Sequence, residues 1–300
     1  MENFIGEITA LAAAFSFSLA STTYTLAGRK FGASMSMALS LLVSLVFLLP
    51  IHLALYGEIF PLAAPPQRWL LLGMSSLAGF AISASLFLRA FQYIGPWLSM
   101  LVASTSPIYA AFMAWLFLGQ GLPPYTFIGI VLVIGGVFWV VSEGVVGAFG
   151  GNQNQYHKGL ATAFGAALAQ GASFVLMSEG VAGDYPAMSA SVIRMVVGLA
   201  LLCVFIGLRG KLRSNLSLVS TEPRALAFVA LASLAGPAVG TTLVLVSLQF
   251  TSVGISSTLT GTTPIFLIPR SFVVFGERIT VRACVGTIVA VAGVALLFAV

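Results

Sequence analysis

Two short stretches of this chain set hydroxyl groups beside a proline inside long apolar sequence. They are Ser104-Thr105-Ser106-Pro107-Ile108 and Gly261-Thr262-Thr263-Pro264-Ile265, with Thr260 just ahead of the second. Proline removes one intrahelical hydrogen bond and kinks a helix. At membrane depth a freed carbonyl needs a hydroxyl, a neighbouring helix or cavity water. The chemistry on offer is hydrogen-bonded solute binding, with back-bonding of the hydroxyls to their own helix as the bland alternative. Gln170 is the most polar uncharged side chain expected deep in an apolar run, where its amide needs partners. It is the leading solute contact, against an interhelical hydrogen bond. Ser21 and Tyr24 lie in the first apolar run, and Tyr109 offers a ring that can stack on a ligand. Gly79-Phe80-x-x-Ser83 and Gly236-Pro237-x-x-Gly240-Thr241 add small residues that allow close helix approach. Phe80, Ser83 and Thr241 extend the candidate set, and Pro107, Pro237 and Pro264 are candidate hinges.

What the sequence lacks is equally informative. Its eight carboxylates, Glu2, Glu7, Glu58, Glu143, Glu179, Asp184, Glu222 and Glu277, all fall at or near expected helix ends. Proton-coupled carriers commonly keep a carboxylate at mid-membrane. Glu7, about one turn into the first helix, comes nearest. Arg89, Arg194 and Arg270 are placed toward helix ends, so a strongly anionic solute is not expected, and His52 is read as interfacial. Two histidines in different regions and a lone aspartate give no intramembrane catalytic constellation. Cys203 and Cys284 show neither metal-ligand spacing nor a disulfide framework and read as small buried hydrophobes. Neither catalytic residues, nor a metal, nor a cofactor is expected.

These residues must be positioned by membrane-spanning helices. Of the 300 residues 59% are hydrophobic and 7% charged, and mean hydropathy is +1.07. A soluble domain carries about 25% charged residues. Ala90–Ser142 and Ala225–Pro269 contain no charge at all. The net charge of +5 is then a matter of membrane topology and does not indicate nucleic-acid binding. With about 20 apolar residues per span, ten spans are expected near 5–27, 34–55, 67–89, 93–118, 124–142, 158–178, 187–208, 223–248, 252–275 and 279–299.

The second half repeats the first. Shifted by 157, the segment 76–137 lies on 233–294 without a gap, and sixteen of its 62 positions are identical. They include Leu77-Ala78-Gly79 on Leu234-Ala235-Gly236, Gln92 on Gln249, Thr105 with Pro107-Ile108 on Thr262 with Pro264-Ile265, and Gly136-Val137 on Gly293-Val294. The earlier helices follow with a shift of 153. The chain therefore divides into a first five-helix repeat (1–144), a linker (145–157) and a second five-helix repeat (158–300). Five is odd, so the second half enters from the opposite side and the repeats are inverted. Both termini share one face. Eleven Lys and Arg lie on the other face, against Arg68 and Arg194. By the positive-inside rule the termini are outside.

With these residues in hand, the chain resembles the drug/metabolite transporter superfamily, and within it the ten-helix EamA-type exporters. The resemblance rests on the two proline stretches together with Leu118-Gly119-Gln120 and Phe275-Gly276-Glu277, where the family pattern closes on Gly-Glu. Gln120 departs from it. The resemblance implies export of metabolites, often amino acids or related molecules, from a central cavity.

The expected fold is thus an all-α integral membrane protein of ten transmembrane helices in two inverted five-helix repeats. The expected function is transport of small neutral metabolites, most of all amino acids including aromatic ones, by alternating access and as a facilitator. The alternative is proton-coupled efflux of cationic compounds through Glu7. The expected partners are a small-molecule substrate and the lipid bilayer of a prokaryotic plasma (inner) membrane. A single chain holds enough helices for a whole pathway, which suits a monomer.

Overall fold

The computed structural model describes residues 4–118, 124–142, 153–183, 185–209, 222–275 and 280–297. All regular structure among them is helical. The Gly-Gln and Gly-Glu endings of the two proline stretches and most of the linker lie outside the described residues.

The first apolar run forms α1 (Ile5–Phe31), with Glu7 in its first turn. α2 (Ala33–Tyr56) ends at Gly57, whose φ of 74° lets its amide cap the Leu53 carbonyl. α3 (Pro66–Ser76) runs through a π-helical segment (Leu77–Ala84) into α4 (Ser85–Ala103). α4 is interrupted at Gly95, with φ 77° and ψ 164°, directly before Pro96. Only glycine adopts that conformation cheaply. The junction of the third and fourth spans, expected near 90–92, therefore lies at Gly95. α5 (Ser106–Leu118), α6 (Pro124–Ser142), α7 (Gln153–Val181) and α8 (Ala187–Leu208) follow. α9 (Pro223–Ser233), a second π-helical segment (Leu234–Gly240) and α10 (Thr241–Phe250) mirror the α3–α4 passage at the shift of 157. α11 (Val253–Thr260), α12 (Thr263–Phe275) and α13 (Val281–Leu297) complete the described chain.

Six helical stretches are long and apolar enough to cross a membrane: Ile5–Thr25, Ala33–Tyr56, Pro66–Ala103, Gln153–Val181, Ala187–Leu208 and Pro223–Phe250. Shorter apolar helices cover Ser106–Phe117, Ile128–Val140 and Cys284–Gly293. The fourth and ninth expected spans fall short because each is broken. The breaks lie at Ser104-Thr105 and Gly261-Thr262, just before the prolines. Pro107 and Pro264 are each the second residue of a new helix, where the missing N–H costs no hydrogen bond. These prolines start helices and do not bend the interior of one.

Packing is reciprocal between the halves. α1 lies on α9, the second π-helical segment and α10, and α7 lies on α3, the first π-helical segment and α4. α2 packs on α8, and α6 on α13. At the last crossing the repeat-matched glycines carry the contact. A Cβ on Gly136 would sit 2.6 Å from the Ala290 nitrogen, and one on Gly293 2.6 Å from the Val133 nitrogen, so the two backbones touch. The outer surface is apolar. Phe117, Val131, Phe138, Leu208 and Val273 are all at least 69% exposed, as lipid-facing side chains must be.

Candidate functional site

A cavity of about 160 Å³ lies between the two halves. Its volume is close to that of an apolar cavity able to hold one benzene ring. Its apolar wall is rich in aromatic and flexible side chains, among them Phe17, Phe80, Phe87, Phe91, Phe174 and Met37. Its polar groups come from both halves.

Of the residues singled out from sequence, Ser21, Tyr24, Phe80, Ser104, Gln170, Thr241, Thr260 and Pro237 line this cavity. Ser83, Thr105, Tyr109, Thr262, Pro107 and Pro264 stand outside its lining. Ser83 acts one step behind, where its hydroxyl donates to the Ala166 carbonyl at 2.8 Å and to Gln170 Oε1 at 3.1 Å. Gln170 is thus both an interhelical acceptor and part of the cavity wall. The Tyr24 hydroxyl is hydrogen-bonded to Ser40 Oγ. Tyr109 packs on α7, with its Cβ 2.8 Å from where a Cβ on Gly171 would stand. The hydroxyls of Thr105 and Thr262 bond back to their own turns, each donating at 2.7 Å, to Val102 and Leu259.

Both π-helical segments border the cavity, one through Gly79, Phe80 and Ala84, the other through Gly236 and Pro237. A π-helical turn inserts a residue and rotates the following side chains out of α-helical register. It turns Gly79 and Phe80 toward α7 and α8.

Arg194 overturns the expectation that the arginines lie toward helix ends. It is the eighth residue of α8, only 2% exposed, and lines the cavity. Its Nε donates to Ser75 Oγ at 2.9 Å and its Nη2 to Ser173 Oγ at 3.1 Å. Its guanidinium lies 4.7 Å from the centroid of the Phe80 ring. Among the described residues no carboxylate is paired with it. A Cβ on Gly79 would lie 2.6 Å from Ser173 Oγ and 2.9 Å from Arg194 Nη2, so the seat requires glycine there. Arg270 is also drawn inward. Its Nη1 donates to Ser18 Oγ at 3.2 Å and its guanidinium lies over Phe15.

Several hydrogen bonds link the elements at one end of the bundle. His52, near the end of α2, is fully buried against its neighbours. Its Nδ1–H donates to the Glu58 carbonyl at 2.7 Å, which leaves Nε2 to accept from the Ser189 hydroxyl at 2.9 Å. Nearby, Gln249 Nε2 donates to the Tyr185 carbonyl at 2.6 Å, and Arg68 Nη1 to the Gly180 carbonyl at 2.9 Å. Gly6 packs on Thr251, so residue 4 lies at this same end. The cavity lining runs from Met177 and Val244 at one side to Phe91 and Met37 at the other. Cys203 is exposed, where a buried small hydrophobe was expected.

The profile of the EamA-like transporter family matches the chain twice, over residues 4–142 and 157–299. The chain belongs to the EamA-like transporter family. It is accordingly a membrane transporter of the drug/metabolite transporter superfamily. No curated protein matches it. A solved structure titled only "Crystal structure of protein" is similar in fold, with a TM-score of 0.64 and 18% identity over 96% of this chain and 95% of that one. The signal for Arg194 was present in the sequence, as a lone cation with seven apolar or hydroxyl residues before it in an apolar span.

Proposed function

We infer that the protein is a ten-helix carrier of two inverted five-helix repeats that exports small neutral metabolites, foremost amino acids with apolar or aromatic side chains. The solute passes through the central cavity by alternating access, and movement follows its own gradient. The observation that carries this reading is the cavity itself. It is apolar and aromatic over most of its wall, holds Gln170, Ser21, Ser104, Thr241 and Thr260 at its sides, and is built from both halves. The reciprocal packing of α1 and α7 supports the inverted repeat. Rocking of one half against the other would hinge at the two helix breaks and at Gly236-Pro237.

No carboxylate lines the cavity among the described residues, which supports a facilitator. The rival reading, proton-coupled efflux of cations through Glu7, places its carboxylate away from the cavity, and Arg194 would repel a cation there. Uptake of labelled phenylalanine, tryptophan, leucine and alanine by proteoliposomes of the purified chain tests the reading. Saturable flux without a pH gradient, reduced by Gln170→Ala, is expected. Flux of none of the four would overturn the substrate class.

A further inference from the structure

We propose that Arg194 is the anion receptor of the cavity, and that the solute it accepts is an apolar or aromatic monocarboxylate, with or without an α-amino group. This rests on the transport reading above and names what that cavity selects. A guanidinium carries five N–H donors. Two of Arg194's meet Ser75 and Ser173, both neutral hydroxyls, and its face meets the Phe80 ring. These contacts replace part of the lost hydration but supply no negative charge. A buried cation without a counter-ion is costly, and this one borders the space where a solute would sit. A carboxylate arriving with the solute takes two parallel N–H donors in the fork geometry that arginine favours.

The remaining wall decides the rest of the ligand. No Asp, Glu or Lys lines the cavity among the described residues, and Arg194 is its one cation there. A single guanidinium balances one negative charge, so a dianion such as a phosphate monoester would leave an uncompensated buried charge. A cationic amine would face Arg194 with no acid to hold it. Phe17, Phe87, Phe91 and Phe174 offer room and contact for one ring or a branched chain. The Arg194 seat belongs to one repeat only. At the shift of 153 its counterpart is Leu41, and that of Ser173 is Ala20. The cavity therefore has one charged end, which fixes the direction in which an amphipathic solute lies.

The test is binding to the full chain in nanodiscs, with 3-phenylpropanoate, phenylalanine, 3-phenylpropan-1-ol, phenethylamine and phenyl phosphate as the probes. The wild type should bind the two carboxylates at least about thirtyfold more tightly than the alcohol, the amine or the phosphate. Arg194→Gln, which keeps a polar amide but removes the charge, should erase that preference while leaving the alcohol's affinity nearly unchanged. A wild-type ratio of acid to alcohol near one would overturn the proposal and leave the transport reading standing. So would a ratio that survives Arg194→Gln. If Arg194→Gln does not accumulate, the wild-type ratio alone decides. Saturable binding of none of the five probes would remove the amphipathic-metabolite reading and the proposal with it.

Discussion

The Ser104 hydroxyl donates to the Gly261 carbonyl at 2.9 Å, and the two residues are 157 positions apart. That is the shift of the internal repeat, so each is the counterpart of the other. The two broken helices meet at their breaks. The local hydrogen bonding is duplicated as well: Ile108 N–H donates to the Thr105 carbonyl and Ile265 N–H to the Thr262 carbonyl, both at 3.0 Å. In the proposed inverted repeat, a contact between equivalent residues lies close to the axis relating the halves. The proposed rocking of the halves would pivot there.

The α6–α13 seam should tolerate no side chain at Gly136. Its neighbours there are backbone atoms, the Ala290 nitrogen and the Gly286 oxygen, both 2.6 Å from where a Cβ would stand. Backbone cannot step aside, and overpacking costs about 1–3 kcal/mol. Gly136→Ala should lower the thermal unfolding midpoint in detergent by several degrees. Gly135→Ala, with nothing within 4 Å, should leave it unchanged or slightly raised.

Gly79→Ala should behave differently. The atoms its methyl would meet first are Ser173 Oγ and Arg194 Nη2, the free ends of side chains. They can turn aside at less cost than a shift of backbone, so the unfolding midpoint should fall less than in Gly136→Ala. The arginine should lose its seat, and KM for phenylalanine should rise by about tenfold, the equivalent of 1.4 kcal/mol. Parallel measurement of KM and unfolding midpoint separates the two effects.

Glu7 lies in the first turn of α1, away from the cavity lining. Glu7→Gln should change phenylalanine flux by less than about twofold, the range of a substitution remote from the site. An imposed pH gradient should not change that outcome. Gradient-driven flux abolished by this substitution would favour the antiport reading.

The distribution of Lys and Arg predicts that the end holding Gly6, Thr251 and the loop after Tyr56 faces outward. Leu62 in that loop is 76% exposed. In a chain whose two native cysteines are replaced by serine, Leu62→Cys should react in whole cells with a membrane-impermeant maleimide. Labelling only after lysis would invert the orientation.

The repeat and the helical class were legible because they rest on patterns that survive drift: a fixed shift, a Thr-x-Pro-Ile, spaced glycines and uncharged runs. The pair Gly136 and Gly293, read from sequence only as part of the repeat, is in the structure a close approach of α6 and α13. Azimuth around each helix was not legible. Ser83 and Thr105 turn into helix contacts while Ser104 and Thr241 line the cavity, and the two π-helical segments rotate the register between them. No residue type announces that extra turn, since Leu77–Ala84 reads as ordinary apolar helix. Arg194 was misplaced because the charge count weighed which end it lay nearest, when its depth of eight residues in α8 was the physical fact that mattered. The helix breaks were misread for a related reason. Proline signals an interruption, but the chain leaves the helix before Pro107 and Pro264 and uses each to begin again.

The central claim is that solute moves through the cavity between the halves, and blocking that space tests it most directly. Ala84 lines the cavity from the first π-helical segment. We would measure exchange of labelled phenylalanine into proteoliposomes preloaded with the unlabelled amino acid, for the wild type and for Ala84→Trp. Both proteins would first be matched for elution profile and unfolding midpoint. The account predicts saturable exchange by the wild type and near-complete loss in Ala84→Trp. Undiminished exchange by a correctly folded Ala84→Trp would contradict it.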